Sequence, residues 1–248
     1  MEILAPSLQS LFLRMRFNRT DLSCGTGFIV NSIKYPLLIT NRHNVTGLNN
    51  LTGECLSKTG GIPNEILIRH NTAKKKGEWV DVCEPLFKDD VPQWIEHPEL
   101  KEKADFVALP LTQLENIDLH PYSLEFNEPQ IKLSPSDIVS VLGFPFCKAG
   151  GGSLAIWATG FLATEHGIDY DDNPVFLVDC RTRPGQSGSA VIAHRNGGNI
   201  RLDNGETVMT PNHKTYFLGI YSGRINDQSD LGMVWKANAI KQLVDSIK

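Results

Sequence analysis

Near the start of the chain Leu11, Leu13, Met15 and Phe17 recur at every second position, with Arg14 and Arg16 between them and the turn-prone Asn-Arg-Thr-Asp at 18–21 behind them. Period two belongs to a strand with one buried face, so this segment reads as a strand entering a hairpin. Further short apolar runs at 27–31, 35–40, 65–69, 78–83, 106–111, 137–142, 154–164, 175–178, 190–193 and 216–221 are separated by Gly, Pro, Asn and Asp. So many short strands between turns predict an all-β barrel or sandwich architecture. One helix stands out. Ile240, Leu243, Val244 and Ile247 fall at i, i+3, i+4 and i+7 within 236–248, a single apolar stripe able to dock on the strands.

The stretch around 114–133 is polar and Pro-containing, without strong periodicity, and it divides the strands into two groups of similar size. The expected organisation is an N-terminal unit over 1–115, a connection over 116–133 and a C-terminal unit with the helix over 134–248. A net charge of −4 with no basic block leaves no electrostatic footprint for nucleic acid, which is not expected as a partner. No apolar run approaches the roughly 18 uncharged residues of a spanning helix, so no membrane partner is expected. Glu2 and the absence of Lys or Arg before Arg14 lack the order of a secretory signal. Five scattered cysteines form no C-x-x-C pair. Free thiols in a reducing cytoplasm are the expectation, and neither a metal nor a cofactor is called for.

Three segments carry candidate chemistry. His43 follows the run Leu37-Leu38-Ile39, where a buried strand emerges; Asp105 opens Phe106-Val107-Ala108-Leu109; Ser187 lies in Pro184-Gly185-Gln186-Ser187-Gly188-Ser189. A serine hydroxyl is a poor nucleophile at neutral pH. It needs an imidazole as general base and a buried carboxylate to fix that ring's tautomer and stabilise its cation. The glycine frame suits a tight turn that exposes the hydroxyl and lets backbone N–H groups converge where an oxyanion would form. Each segment alone has a bland explanation as a turn, a cap or a structural histidine. The alternative chain order Ser187, Asp203, His213 fits badly, since position 189 is Ser where a nucleophile elbow needs Gly, and 26 residues cannot hold the intervening sheet and helices. Cys180 lacks a glycine frame, and the remaining histidines lack metal-ligand spacing.

Taken together, these segments resemble the trypsin-like, chymotrypsin-fold serine peptidases, most of all the bacterial intracellular branch. The block Gly25-Thr26-Gly27-Phe28-Ile29-Val30 resembles the family's strand leading to its histidine. Thr40-Asn41-Arg42-His43 stands for its Thr-Ala-Ala-His. Ala104-Asp105-Phe106-Val107-Ala108-Leu109 resembles its Asp-Ile-Ala-Leu strand, and Pro184 to Ser189 its Gly-Asp-Ser-Gly signature. Phe217-Leu218-Gly219-Ile220-Tyr221-Ser222-Gly223 resembles the strand that receives substrate backbone. The resemblance implies two antiparallel six-stranded β-barrels of the chymotrypsin type, His43 and Asp105 coming from the first and Ser187 from the second. It also implies a serine endopeptidase acting on protein or peptide substrates through an acyl-enzyme, with an oxyanion turn of Gly185, Gln186 and Ser187. A catalytically silent or latent peptide-binding module is the alternative.

Two departures bear on mechanism. Asn44 stands where secreted members carry cysteine, in keeping with a reducing compartment. Gln186 stands where they carry Asp, so activation through a new N-terminus is not expected, and the oxyanion turn must be ordered by permanent folding or by an activating partner. The resemblance places Arg181, Thr182, Tyr221, Ser222 and Gly223 at the substrate. Arg181 has two open orientations. Facing the pocket it would disfavour a basic side chain before the cleaved bond and favour acidic or small uncharged ones; pointing into solvent it would do neither.

Overall fold

The structure, a computed structural model, describes residues 3–247 apart from Lys58 and Asp227. Strands Ser10–Phe17 and Thr20–Asn31 form the expected hairpin, and Asn18 and Arg19 both hold positive φ (46° and 68°). Positive φ at both central residues matches the turn's twist to that of the strands. The first half grows from this hairpin into an antiparallel sheet of eight strands. On one side Glu65–Thr72 pairs with Ser10–Phe17 and carries Trp79–Pro85 and Ile117–Asp118. On the other, Pro36–Thr40 is followed by Val107–Pro110 and Ile95–Glu96. Among the described residues its hydrogen-bonded path is open, with Trp79–Pro85 added off the main path, an arrangement consistent with the expected first barrel.

The second half is a closed six-stranded barrel. Around it run Ile138–Gly143, Ile156–Leu162, Val175–Asp179, Leu231–Lys236, Lys214–Arg224 and Ala190–Arg195, the last pairing back to the first. Leu231–Lys236 was not foreseen, because Gly232 and Lys236 interrupt its apolar run. The hairpin of Gly198–Arg201 and Thr207–Thr210 was missed because most of its residues are exposed.

Three apolar clusters hold the molecule. One lies within the first sheet (Leu13, Met15, Ile29, Leu38, Ile66 and neighbours) and one within the barrel (Val141, Phe176, Val191, Leu218, Val234 and neighbours). The third belongs to neither half. It joins Phe28, Leu37 and Phe106 to Phe144, Ile192 and Phe217, and takes in Ile240, Leu243 and Val244 of the C-terminal helix Ala237–Asp245. Rings meet edge-on across it, Phe12 with Phe144 and Phe28 with Phe217, each pair with centroids 5.2 Å apart. A shared core of this kind fixes one half against the other, and with it everything along the cleft between them. Among the described residues no helix is long and apolar enough to cross a membrane, and no cluster of His, Cys, Asp and Glu could hold a metal ion.

Candidate active site

Antiparallel register places the first two chemical groups. Pro36–Thr40 pairs with Val107–Pro110 so that Thr40 faces Val107, and continuing two residues along each chain sets Asp105 beside Arg42 and His43. There the chain turns into a short helix, Arg42–Thr46, ended by Gly47 at φ 68°. His43 Nδ1 lies 2.7 Å from Asp105 Oδ2, and the His43 backbone N–H donates to Asp105 Oδ1 at 3.1 Å. The Ser222 hydroxyl donates to the same Oδ2 at 2.5 Å. Three hydrogen bonds to a carboxylate only 6% exposed compensate its desolvation. Burial opposes the imidazolium, but the charge and hydrogen bond of Asp105 outweigh it and raise the His43 pKa above its ordinary value.

Ser187 sits in the turn before strand Ala190–Arg195, and contacts from both halves shape that turn. Its carbonyl accepts from Thr26 N (2.8 Å) and from Asn44 Nδ2 (3.3 Å), while Thr26 Oγ1 donates to Gly185 O (2.9 Å). Gly188 N donates to Tyr221 O (3.0 Å). Gly185 and Gly188 have φ of 95° and 87°, and a Cβ on Gly188 would stand 2.0 Å from Thr26 O. Gln186 is wholly buried and acts as an internal brace: its Oε1 accepts from Arg183 N (2.8 Å), and its own N–H donates to Arg183 O (3.1 Å). The N–H groups of Gly185 and Ser187 make no hydrogen bond among the described residues.

A cavity of about 560 Å³ borders His43, Asp105, Gly185, Ser187, Ser222 and Gly223 together. No hydrogen bond links the side chains of His43 and Ser187 among the described residues; such contacts commonly tighten only around substrate. The remaining predicted residues lie elsewhere. The Arg181 side chain is 86% exposed, 4.0 Å from Asp230 and outside the cavity, which corresponds to the solvent-facing of its two orientations. Thr182 and Tyr221 are buried and hydrogen-bonded to each other through their hydroxyls, also outside the cavity. Ser222 reaches the cavity, but its side chain is spent on Asp105. The cause is a bulge: Tyr221 pairs with Val234 and Gly223 with the adjacent Met233, leaving Ser222 as the extra residue.

The expectation of free thiols is overturned for two of the five cysteines. Cys24, beside the cavity, is disulfide-bonded to Cys147, with Cα atoms 5.9 Å apart; Cys55, Cys83 and Cys180 are free. The bond crosses between the halves next to the turn that carries Ser187, and Phe146 N donates to Pro184 O at 2.6 Å. Nothing in the sequence marks residues 24 and 147 as a pair, because only the packing of the two halves brings them together. Burial pushes the Cys180 thiol up to about 11, which leaves it protonated at neutral pH.

The architecture has known counterparts. The Rv3671c protease of M. tuberculosis in its active form superposes with a TM-score of 0.51 at 18% identity, over 98% of this chain and 82% of that one. The thermostable serine protease AL20 from an extremophilic microorganism gives 0.54 at 12% identity, over 98% and 97%. The serine endoprotease of Yersinia pestis gives 0.52 at 13%, over 97% and 64%. At these identities the likeness establishes a shared chymotrypsin-like fold. No curated protein sequence matches the chain. The model of the trypsin-like peptidase domain matches residues 25–199, well over half of the sequence and the whole span from the Cys24 side of the cleft past Ser187. With that match added to the fold, the chain belongs to the trypsin-like peptidase family.

Proposed function

We propose that this protein is a serine endopeptidase working through His43, Asp105 and Ser187. Ser187 Oγ attacks the carbonyl carbon of the scissile peptide bond as its proton passes to His43 Nε2. The N–H groups of Gly185 and Ser187, with Gln186 holding the turn between them, receive the oxyanion. His43 then protonates the leaving amine, and the C–N bond breaks to leave an acyl-enzyme. Water, deprotonated by the same imidazole, releases the acid and restores the serine. Asp105 keeps Nδ1 protonated throughout, so Nε2 is the free base. The edge at Ser222 and Gly223 accepts the substrate backbone as an added strand.

The observation that carries this reading is His43 fixed by two hydrogen bonds to buried Asp105 on the wall of the cavity that also holds Ser187. The turn is braced from within by Gln186, which supports permanent ordering without an activating partner. A fluorophosphonate probe tests the reading, because it reacts with an activated serine. Labelling of the wild type with none of Ser187→Ala and little of His43→Ala is expected. A folded wild type that stays unlabelled would instead identify a silent peptide-binding module.

A further inference from the structure

Resting on the peptidase reading, we infer that Tyr221 closes the subsite for the side chain preceding the cleaved bond, so that the enzyme cuts after small, uncharged residues such as Gly, Ala and Ser. With the acyl part of the substrate laid along Ser222 and Gly223 and its carbonyl at Ser187, that side chain must enter between the turn at 182–186 and the strands Lys214–Arg224 and Leu231–Lys236. Protein already fills this space. Thr182 is 1% and Tyr221 3% exposed, and their hydroxyls satisfy each other. The Tyr221 ring lies so close to Gly232 that a Cβ there would be 2.4 Å from Cε2. Its backbone is locked beneath the nucleophile turn, N donating to Ser189 O at 2.8 Å and O accepting from Gly188 N at 3.0 Å. The cavity accordingly reaches Ser187, Ser222, Gly223 and Met233 but neither Thr182 nor Tyr221.

Size and charge both follow from this arrangement. A large side chain would have to displace a buried ring and strand two hydroxyls without partners. A charged one would draw no partner from the segment leading into the Ser187 turn, where Arg181 stands outside the cavity and Arg183 is 3.5 Å from Asp230. Hydrophobic pockets discriminate by roughly 10–200-fold per methylene, and a closed floor should exceed that for an aromatic ring.

The test is kcat/KM on a peptide series varying only the residue before the cleaved bond, for wild type, Tyr221→Val and Tyr221→Phe. The wild type should prefer Ala to Leu, Phe, Glu or Lys by about 100-fold or more. Tyr221→Val should raise Leu and Phe relative to Ala by a similar factor, whereas Tyr221→Phe, which retains the ring, should keep the wild-type order. A wild type that cuts after Leu, Phe, Glu or Lys as well as after Ala overturns the inference. Should Tyr221→Val not fold, peptidyl phosphonates ending in an Ala-like or a Phe-like group decide on the wild type alone. Labelling by the first only supports the closed subsite, and equal labelling refutes it. Failure of a simple fluorophosphonate to label at all removes the peptidase reading and this inference with it, whereas labelling with the wrong order of preference removes this inference only.

Discussion

Asp105 accepts two hydrogen bonds from His43 and one from Ser222, and each has a separable consequence. Because the carboxylate raises the His43 pKa, the neutral base accumulates only above the ordinary histidine value of about 6.5. The rate should therefore climb with pH and reach half its plateau above that value, as a kcat/KM profile would show. Asp105→Asn should lower the midpoint and cost roughly 10³–10⁴-fold in kcat, since an amide favours the wrong tautomer. Ser222→Ala should cost about tenfold or more in kcat/KM and roughly 1.5–3 kcal/mol in denaturant melts, because it leaves a buried carboxylate oxygen one hydrogen bond short. The three residues proposed to react stand out in the sequence because each sits in a distinctive local frame: glycines around Ser187, buried strands ending at His43 and beginning near Asp105. Their supports do not. Asn44 and Thr26 touch Ser187 across 143 and 161 residues of chain, and nothing local marks those contacts.

Individual strands matter here chiefly through register and through the places where register breaks. Asp105 reaches His43 because Val107–Pro110 pairs in one phase with Pro36–Thr40; a slip by one residue would turn the carboxylate to the other face. Most strands were recoverable from period-two patterns or from short apolar runs between turn residues. The bulge at Ser222 was not, since it depends on the partner strand, and the hydrogen bond of the Ser222 hydroxyl to Asp105, which leaves the proposed backbone pairing with substrate untouched, was equally invisible. The nucleophile turn permits one sharp test. At Gly188 a methyl group would meet Thr26 O at 2.0 Å on a backbone with φ 87°. Gly188→Ala should cost roughly 1–3 kcal/mol or more in denaturant melts and abolish probe labelling, because the hydrogen bonds from Thr26 to the turn would part.

Across the whole molecule, a buried and a half-buried histidine set the response to acid. Burial pushes His70 down to about 4; His166 is lowered to about 4 by burial and by the nearby Lys236. Both rings are neutral in the folded protein and take up protons readily only when it unfolds. The stability this confers is present above about pH 6.5 and is lost as pH falls towards 4, on the order of 3 kcal/mol for each ring. Thermal melts between pH 7 and 4 should show a steep decline, flattened in His70→Leu. The disulfide works in the opposite direction. It closes 123 residues of chain, so by loop-closure entropy Cys24→Ser or reduction should cost up to about 5 kcal/mol.

That same bond alters what a break in the chain would mean. Residues 127–129, in the connection between the halves, are exposed and lie between Cys24 and Cys147. A single cut there would leave two fragments that remain one covalent molecule, each still contributing to the shared apolar core. Nicked enzyme should run as one species on a denaturing gel until thiol is added, and before that it should keep its reactivity towards the probe. The protein is thus wired as a loop through its own cleft, and cleavage at this junction is survivable only while the sulfur bridge stands.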